Sequence, residues 1–165
     1  PEVSQMSIEI IKKLNVSDIK CSTLTKGVSP FELSQLSKEN EYGITLVSLD
    51  EDFRERFEPN TTPFADRIAA LRDLHDAGCY TWVSIEPYPT PNIIKQNLDD
   101  ILEAVGFVDR IVFGRMHYNK LVTEYKEHKE FFNRCANVVI EFCNNNNISY
   151  HIKKVRKAVH EVVKL

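Results

Sequence analysis

Two hydrophobic periods alternate along this chain. Residues 4–14 place Met6, Ile10, Ile11 and Leu14 at spacings of three and four, which predicts a helix with one buried face. Cys21-Ser22-Thr23-Leu24-Thr25 then reads as a short strand ending at Lys26-Gly27. Ser29-Pro30 opens a brief helix to Ser37, with proline in its first turn. Ile44-Thr45-Leu46-Val47-Ser48-Leu49, bounded by Gly43 and by the acidic Asp50-Glu51-Asp52, predicts a buried strand. Phe64, Ile68, Leu71 and Leu74 form the next helical stripe, with Pro63 near its start and Ala77-Gly78 as its stop.

The second half repeats the alternation. Tyr80-Thr81-Trp82-Val83-Ser84-Ile85 is a strand running into Glu86-Pro87-Tyr88-Pro89-Thr90-Pro91-Asn92, a loop stiffened by its prolines. A stripe over 94–105 (Ile94, Leu98, Ile101, Leu102, Val105) closes at Gly106 and leads to the strand Arg110-Ile111-Val112-Phe113. A long helix is predicted over 119–143, stopped by the asparagines 144–147 and followed by the strand Ile148-Ser149-Tyr150-His151-Ile152. Val155, Ala158, Val159 and Val162 suggest a final amphipathic turn or more, so that 1–153 forms the body and 154–165 a tail.

Repeated strand-then-helix units, with helices long enough for crossovers, predict an α/β fold with parallel strands. A barrel and an open sheet both satisfy this pattern. Polarity collects where strands end: Lys26, Ser48 with Asp50, Glu86 with Tyr88, Arg115 with His117. That collection favours a partial TIM-type (β/α) barrel fragment, because ligands of such folds gather at the C-terminal strand edge.

Composition narrows the class without choosing a function. The 165 residues are 42% hydrophobic and 27% charged, a balance suited to one globular domain with its own core. A net charge of -3, mixed along the chain, gives no overall field for nucleic acid or anionic lipid, so any nucleic-acid contact must be local. Apolar runs are too short for a membrane helix. Cys21, Cys79, Cys135 and Cys143 lie far apart, which predicts reduced thiols in a cytoplasmic protein and no disulfide framework. The chain opens on Pro1, which fits a processed product or a stretch of a longer polypeptide.

Familiar catalytic signatures are absent. The sequence holds no Gly-x-Gly-x-x-Gly, no Walker loop, no His-Glu-x-x-His and no Gly-x-Ser-x-Gly, which disfavours dinucleotide, P-loop, zincin and α/β-hydrolase chemistry. His75, His128, His151 and His160 lack metal spacing. One ordered set of segments does stand out: Thr25-Lys26-Gly27, Ile44 to Asp50, Phe57-Glu58-Pro59 with Arg67, and Val83-Ser84-Ile85-Glu86 through Asn92. Over roughly residues 10–153 this set resembles the second half of a radical SAM enzyme, and more narrowly spore photoproduct lyase and its DNA repair photolyase-like relatives.

The resemblance implies a partial barrel that cleaves S-adenosylmethionine (SAM) with a four-iron four-sulfur cluster on a Cys-x-x-x-Cys-x-x-Cys loop. This sequence has no such loop, so the cluster ligands would lie in a missing N-terminal half or on a partner chain that completes the barrel. Matched position by position, Lys26 would pair with the methionyl carboxylate of SAM, and Ser48 with a ribose or carboxylate oxygen. Arg67 would clamp a carboxylate, Asp50 would meet ribose hydroxyls, Glu86 would pass the adenine and Tyr88 would stack on it. Plainer roles stand beside these: a solvated Lys26, a strand-capping Ser48, an exposed Arg67 paired with Asp66 or Asp73, an Asp50 that caps a turn, and a Glu86 that fastens its loop. Asn92 is expected to cap the helix after it. Arg115, His117 and Tyr118 together suit phosphate and base contacts to a substrate, nucleic acid included. The competing class is a non-catalytic α/β fragment that binds a nucleotide or a protein partner or associates with itself, since an unfinished barrel leaves edges bare.

Overall fold

The computed structural model describes residues 2–116 and 119–153. Five strands, β1 (Ser22–Thr25), β2 (Glu41–Thr45), β3 (Tyr80–Tyr88), β4 (Arg110–Arg115) and β5 (Ser149–Ile152), form one sheet in the order β1-β2-β3-β4-β5. Every pairing is parallel. Helices α1 (Glu2–Val16), α2 (Glu51–Phe57), α3 (Phe64–Asp76), α4 (Leu98–Ala104), α5 (Lys120–Glu124) and α6 (His128–Asn145) fill the connections, with a 3-10 turn at Phe31–Gln35. Strand order follows chain order without reversal, so the sheet has no doubly wound switch point and is an open sector of a TIM-like barrel. The tail 154–165, with its expected amphipathic turn, lies outside the described residues, as do His117 and Tyr118.

The helices cover one face of the sheet. Ile44, Val83, Ile85, Ile111 and Phe113 point into a core closed by Leu71 of α3, Ile101 and Leu102 of α4, and Val139 and Cys143 of α6. Ile8 and Ile11 of α1 pack with Tyr42, Leu74 and Cys79 in a second cluster. Each fully buried aliphatic side chain there contributes ~1.5–3 kcal/mol relative to exposure.

Several element boundaries differ from the sequence expectation, each for a local reason. Strand β2 runs through Gly43 instead of starting after it, because the indole of Trp82 lies where a Cβ would be: such an atom would sit 2.4 Å from Trp82 Cε2. The acidic run after Leu49 is the start of α2: Asp50 Oδ1 accepts from Phe53 N at 2.7 Å, and Glu51 and Asp52 occupy a first turn that favours negative charge. Strand β3 continues through the cis Glu86-Pro87 bond to Tyr88. Helix α4 begins at Leu98 under an Asn97 cap, while Asn92, the expected cap, donates from Nδ2 to Leu121 O at 2.7 Å. The helix expected over 119–143 is two: Tyr125 is extended, and its carbonyl lies 2.9 Å from His128 Nδ1.

Candidate functional site

Among the described residues, the other face of the sheet carries no helix. A groove of about 750 Å³ runs along it, lined by Trp82, Ser84 and Glu86 of β3, Arg110 and Val112 of β4, and His151 and Lys153 at β5, with Ser22, Leu24, Pro87 and Arg115 at its margins. These are the alternate residues of the same strands that bury Val83, Ile85 and Ile111 on the opposite side. Two glycines shape the groove. Gly43 admits the Trp82 ring, and Gly114 admits the Glu86 carboxyl: a Cβ at Gly114 would lie 2.7 Å from Glu86 Cδ. The Arg110 guanidinium stands 5.1 Å above the Trp82 ring and 2.8 Å from Glu41 Oε2. Glu86 pairs with Lys153 across β4.

At the C-terminal strand ends the structure joins Lys26 and Arg67 through a residue not singled out as a site, Glu58. Lys26 Nζ is 2.8 Å from Glu58 Oε1, and Arg67 Nη1 is 2.9 Å from Glu58 Oε2. The carboxylate is buried, Arg67 is wholly buried, and Lys26 is half exposed. The rest of the Arg67 fork is spent inside: Nε donates to Thr62 O at 2.8 Å, Nη1 to Thr45 O at 3.0 Å and Nη2 to Thr61 Oγ1 at 2.7 Å. Neither the exposed Arg67 paired with Asp66 or Asp73 nor the carboxylate clamp at the mouth is what forms. Its guanidinium holds Glu58 and the end of β2, and Phe64 closes over it at 4.8 Å. The Glu58-Pro59 pair ahead of Arg67 was the available sequence signal.

The remaining candidates separate. Ser48 is wholly buried beyond the end of β2, where its Oγ accepts from Asp50 N at 3.1 Å. Asp50 is the cap of α2, the plainer of its two expected roles. Tyr88, expected to stack on a base, is 2% exposed and lies in the core between Phe113 and Phe131, at ring separations of 5.5 and 6.2 Å. Burial pushes its phenol well above the ordinary tyrosine range, so it stays protonated. Glu86 and Arg115 face the groove. Between Lys26 and the β3 and β4 ends a smaller cavity of about 280 Å³ is lined by Val47, Phe53, Phe57, Glu58, Pro87, Met116 and Asn119.

This donor set does not fit an iron-sulfur cluster. No group of three metal-ligating side chains forms among the described residues, and the thiols of Cys79, Cys135 and Cys143 are buried and apart. The groove instead gathers one carboxylate, Glu86, with the cations Arg115 and Lys153 in about 750 Å³, a volume and a charge mixture that fit a small zwitterionic ligand. Among the described residues no helix is long and apolar enough to cross a membrane.

No protein-family model matches this chain, and no curated protein matches it. Among solved structures it is similar to SuiB of Streptococcus suis, with a TM-score of 0.62 at 14% identity. SuiB bound to its precursor peptide SuiA gives 0.60 at 16%, and SuiB bound to S-adenosylmethionine 0.58 at 14%. Each superposition covers 90% of this chain, which spans about a third of the SuiB chain, 36, 35 and 34% respectively. At these identities the likeness shows the fold alone, a partial TIM-like barrel.

Proposed function

We propose that this chain is the SAM- and substrate-contacting sector of a radical SAM enzyme. The observation that carries the reading is the bare, polar face of a parallel sheet, with Glu86, Arg115 and Lys153 at its C-terminal edge, in a fold shared with a protein solved with SAM. Bound there, SAM supplies an adenosyl group and a methionyl carboxylate; the radical chemistry implied by the resemblance needs cluster ligands from outside these residues.

The chain's own groups act as binders. Lys26 has three N–H donors, of which Glu58 takes one, leaving the ammonium able to receive a carboxylate. Glu86 exchanges Lys153 for a ligand ammonium or hydroxyl. Arg67, Asp50 and Ser48 hold the strand ends in place, and Tyr88 and Phe113 keep water from the core beneath. A peptide is the substrate class this groove suits. Among the described residues, two of its three cations are paired with carboxylates, Arg110 with Glu41 and Lys153 with Glu86, which favours a peptide over the nucleic-acid backbone that the spore photoproduct lyase likeness implies.

Trp82 is the single tryptophan and lines the groove, so its emission reports occupancy. Titration with SAM is expected to change it saturably, and Glu86→Ala and Lys26→Met are expected to weaken the response about tenfold or more. A flat titration with the folded protein, or a response in both variants as tight as that of the unsubstituted chain, would contradict the reading.

A further inference from the structure

The smaller cavity at the mouth of the sheet differs in chemistry from the groove beside it. About 280 Å³ in volume, it lies at the C-terminal ends of four strands: Lys26 follows β1, Val47 follows β2, Pro87 belongs to β3 and Met116 follows β4, while Phe53 and Phe57 come from α2. Pro87 also lines the groove, so the two spaces meet at that residue. Hydrogen bonds to the main chain fix the walls in advance. Met116 N donates to Tyr88 O at 3.1 Å, Thr62 N to Lys26 O at 3.2 Å, and Gln96 Nε2 to Val47 O at 2.9 Å.

The walls are mostly apolar, and their polar groups are largely spent. Val47 and Phe53 are 2 and 5% exposed, and the rings of Phe53 and Phe57, one helical turn apart, stack at 4.7 Å. Glu58 gives Oε1 to Lys26 and Oε2 to Arg67, and Asn119 Oδ1 accepts from Leu121 N at 2.9 Å. Among the described residues lining the cavity, no carboxylate is left to receive a cation. SAM carries an ammonium and a sulfonium, each of which would lose hydration there without gaining a counter-charge. The groove, with Glu86, offers such an anion; the cavity suits a group with no charge.

We propose that this cavity is a side-chain pocket for the peptide substrate, selecting an aromatic or long aliphatic residue that packs against Phe53, Phe57 and Met116 while the peptide main chain passes Pro87. This deepens the peptide reading of the groove, on which it rests, by naming the residue class taken. A large apolar side chain gains more than alanine by the area it removes from water. Asparagine, close to leucine in shape, buries an amide against apolar walls and gains less.

The chain has two methionines, Met6 and Met116, which serve as reporter and control. Met116 lines the cavity, whereas Met6 on α1 is 59% exposed and registers non-specific contact. The experiment follows the isotope-labelled methionine methyls of the chain by NMR during titration with the N-acetyl amides of phenylalanine, leucine, alanine and asparagine. The phenylalanine and leucine probes are expected to shift the Met116 signal saturably, at concentrations about tenfold or more below those the other two need, with Met6 unmoved. Phe57→Gln is expected to remove that preference and to leave the Trp82 response to SAM as in the unsubstituted chain. Should that variant fail to fold, the order of the four probes on the unsubstituted chain decides alone. Equal titrations for all four probes, no saturable Met116 shift, or loss of the phenylalanine response at saturating SAM would overturn the proposal, the last by assigning the cavity to SAM. A flat Trp82 titration with the order of the probes intact would instead overturn the SAM reading and leave the pocket standing, so the two failures are told apart.

Discussion

The two faces of this sheet are made by alternate residues of the same strands and do opposite work. Toward the helices β3 presents Thr81, Val83 and Ile85, all buried; toward the groove it presents Trp82, Ser84 and Glu86. Parallel sheets usually bury both faces and read as continuous apolar runs. Here the apolar residues are concentrated on one side, which carries the stability and frees the other for the polar side chains of the proposed ligand groove. Substitutions on the covered side should therefore move stability, and those on the open side should move binding.

Arg67→Ala gives the strongest test of that division. It removes a wholly buried cation from the covered side and leaves Glu58 without its inner partner. Breaking a buried pair by one member costs ~3–5 kcal/mol, so urea unfolding is expected at much lower denaturant concentration. Arg67→Lys keeps the charge but not the fork that reaches Thr45, Thr61 and Thr62, and falls between. A loss below about 1 kcal/mol for the alanine variant, the range of exposed pairs, would place Arg67 with the open side instead.

The buried thiols give a pH-dependent form of the same test. Burial raises Cys135 and Cys143 from 9.0 to about 11. Their contribution is fully present below pH 9, since both states are then protonated, and is lost as pH climbs toward about 11, because the unfolded chain releases these protons first. At pH 10 each thiol is expected to have cost about 1 kcal/mol, visible as a falling Tm between pH 8 and 10 that flattens in Cys143→Ala. Cys21 is half exposed and should react with a thiol reagent in the folded protein, while Cys135 and Cys143 should react only on unfolding.

Gly43→Ala probes the seam between the faces. The added methyl would overlap the Trp82 ring, costing ~1–3 kcal/mol and shifting tryptophan emission as the indole is displaced. Both changes are expected together; destabilisation with unchanged emission would mean that β2 had moved instead of the ring.

Much of this was legible in the chain. The stripe of α3, the strands at Cys21–Thr25 and Tyr80–Ile85, and the parallel α/β pattern follow from hydrophobic period alone. What was not legible depended on contacts between distant residues. Gly43 looks like a strand boundary until Trp82 of the neighbouring strand is seen to fill its missing side chain. Arg67 looks like a surface residue until Glu58 and Thr62 are folded back onto it, and Tyr88 looks like a ligand contact until Phe131 of α6 stacks against it. The groove itself was written in the alternation of Trp82, Ser84 and Glu86 with Val83 and Ile85, a signal masked because every residue of that run except Glu86 also reads as part of a buried strand.

Glu86→Gln and Lys153→Met should have the smallest effect on stability and sharpen the comparison most. Both side chains are partly exposed, so their pair contributes ~0–1 kcal/mol in water, and either substitution should leave the unfolding midpoint nearly in place. Their effects on the groove should nevertheless differ in sign. Lys153→Met removes the resident cation and leaves the Glu86 carboxylate, packed over Gly114, free for a ligand ammonium; Glu86→Gln removes the anion that such a group requires. The Trp82 response to SAM is therefore expected to tighten in the first variant and weaken in the second, with both unfolding curves near wild type. Equal weakening in both would mean that the ion pair itself shapes the groove, and the open face would then share in the structural work assigned to the covered one.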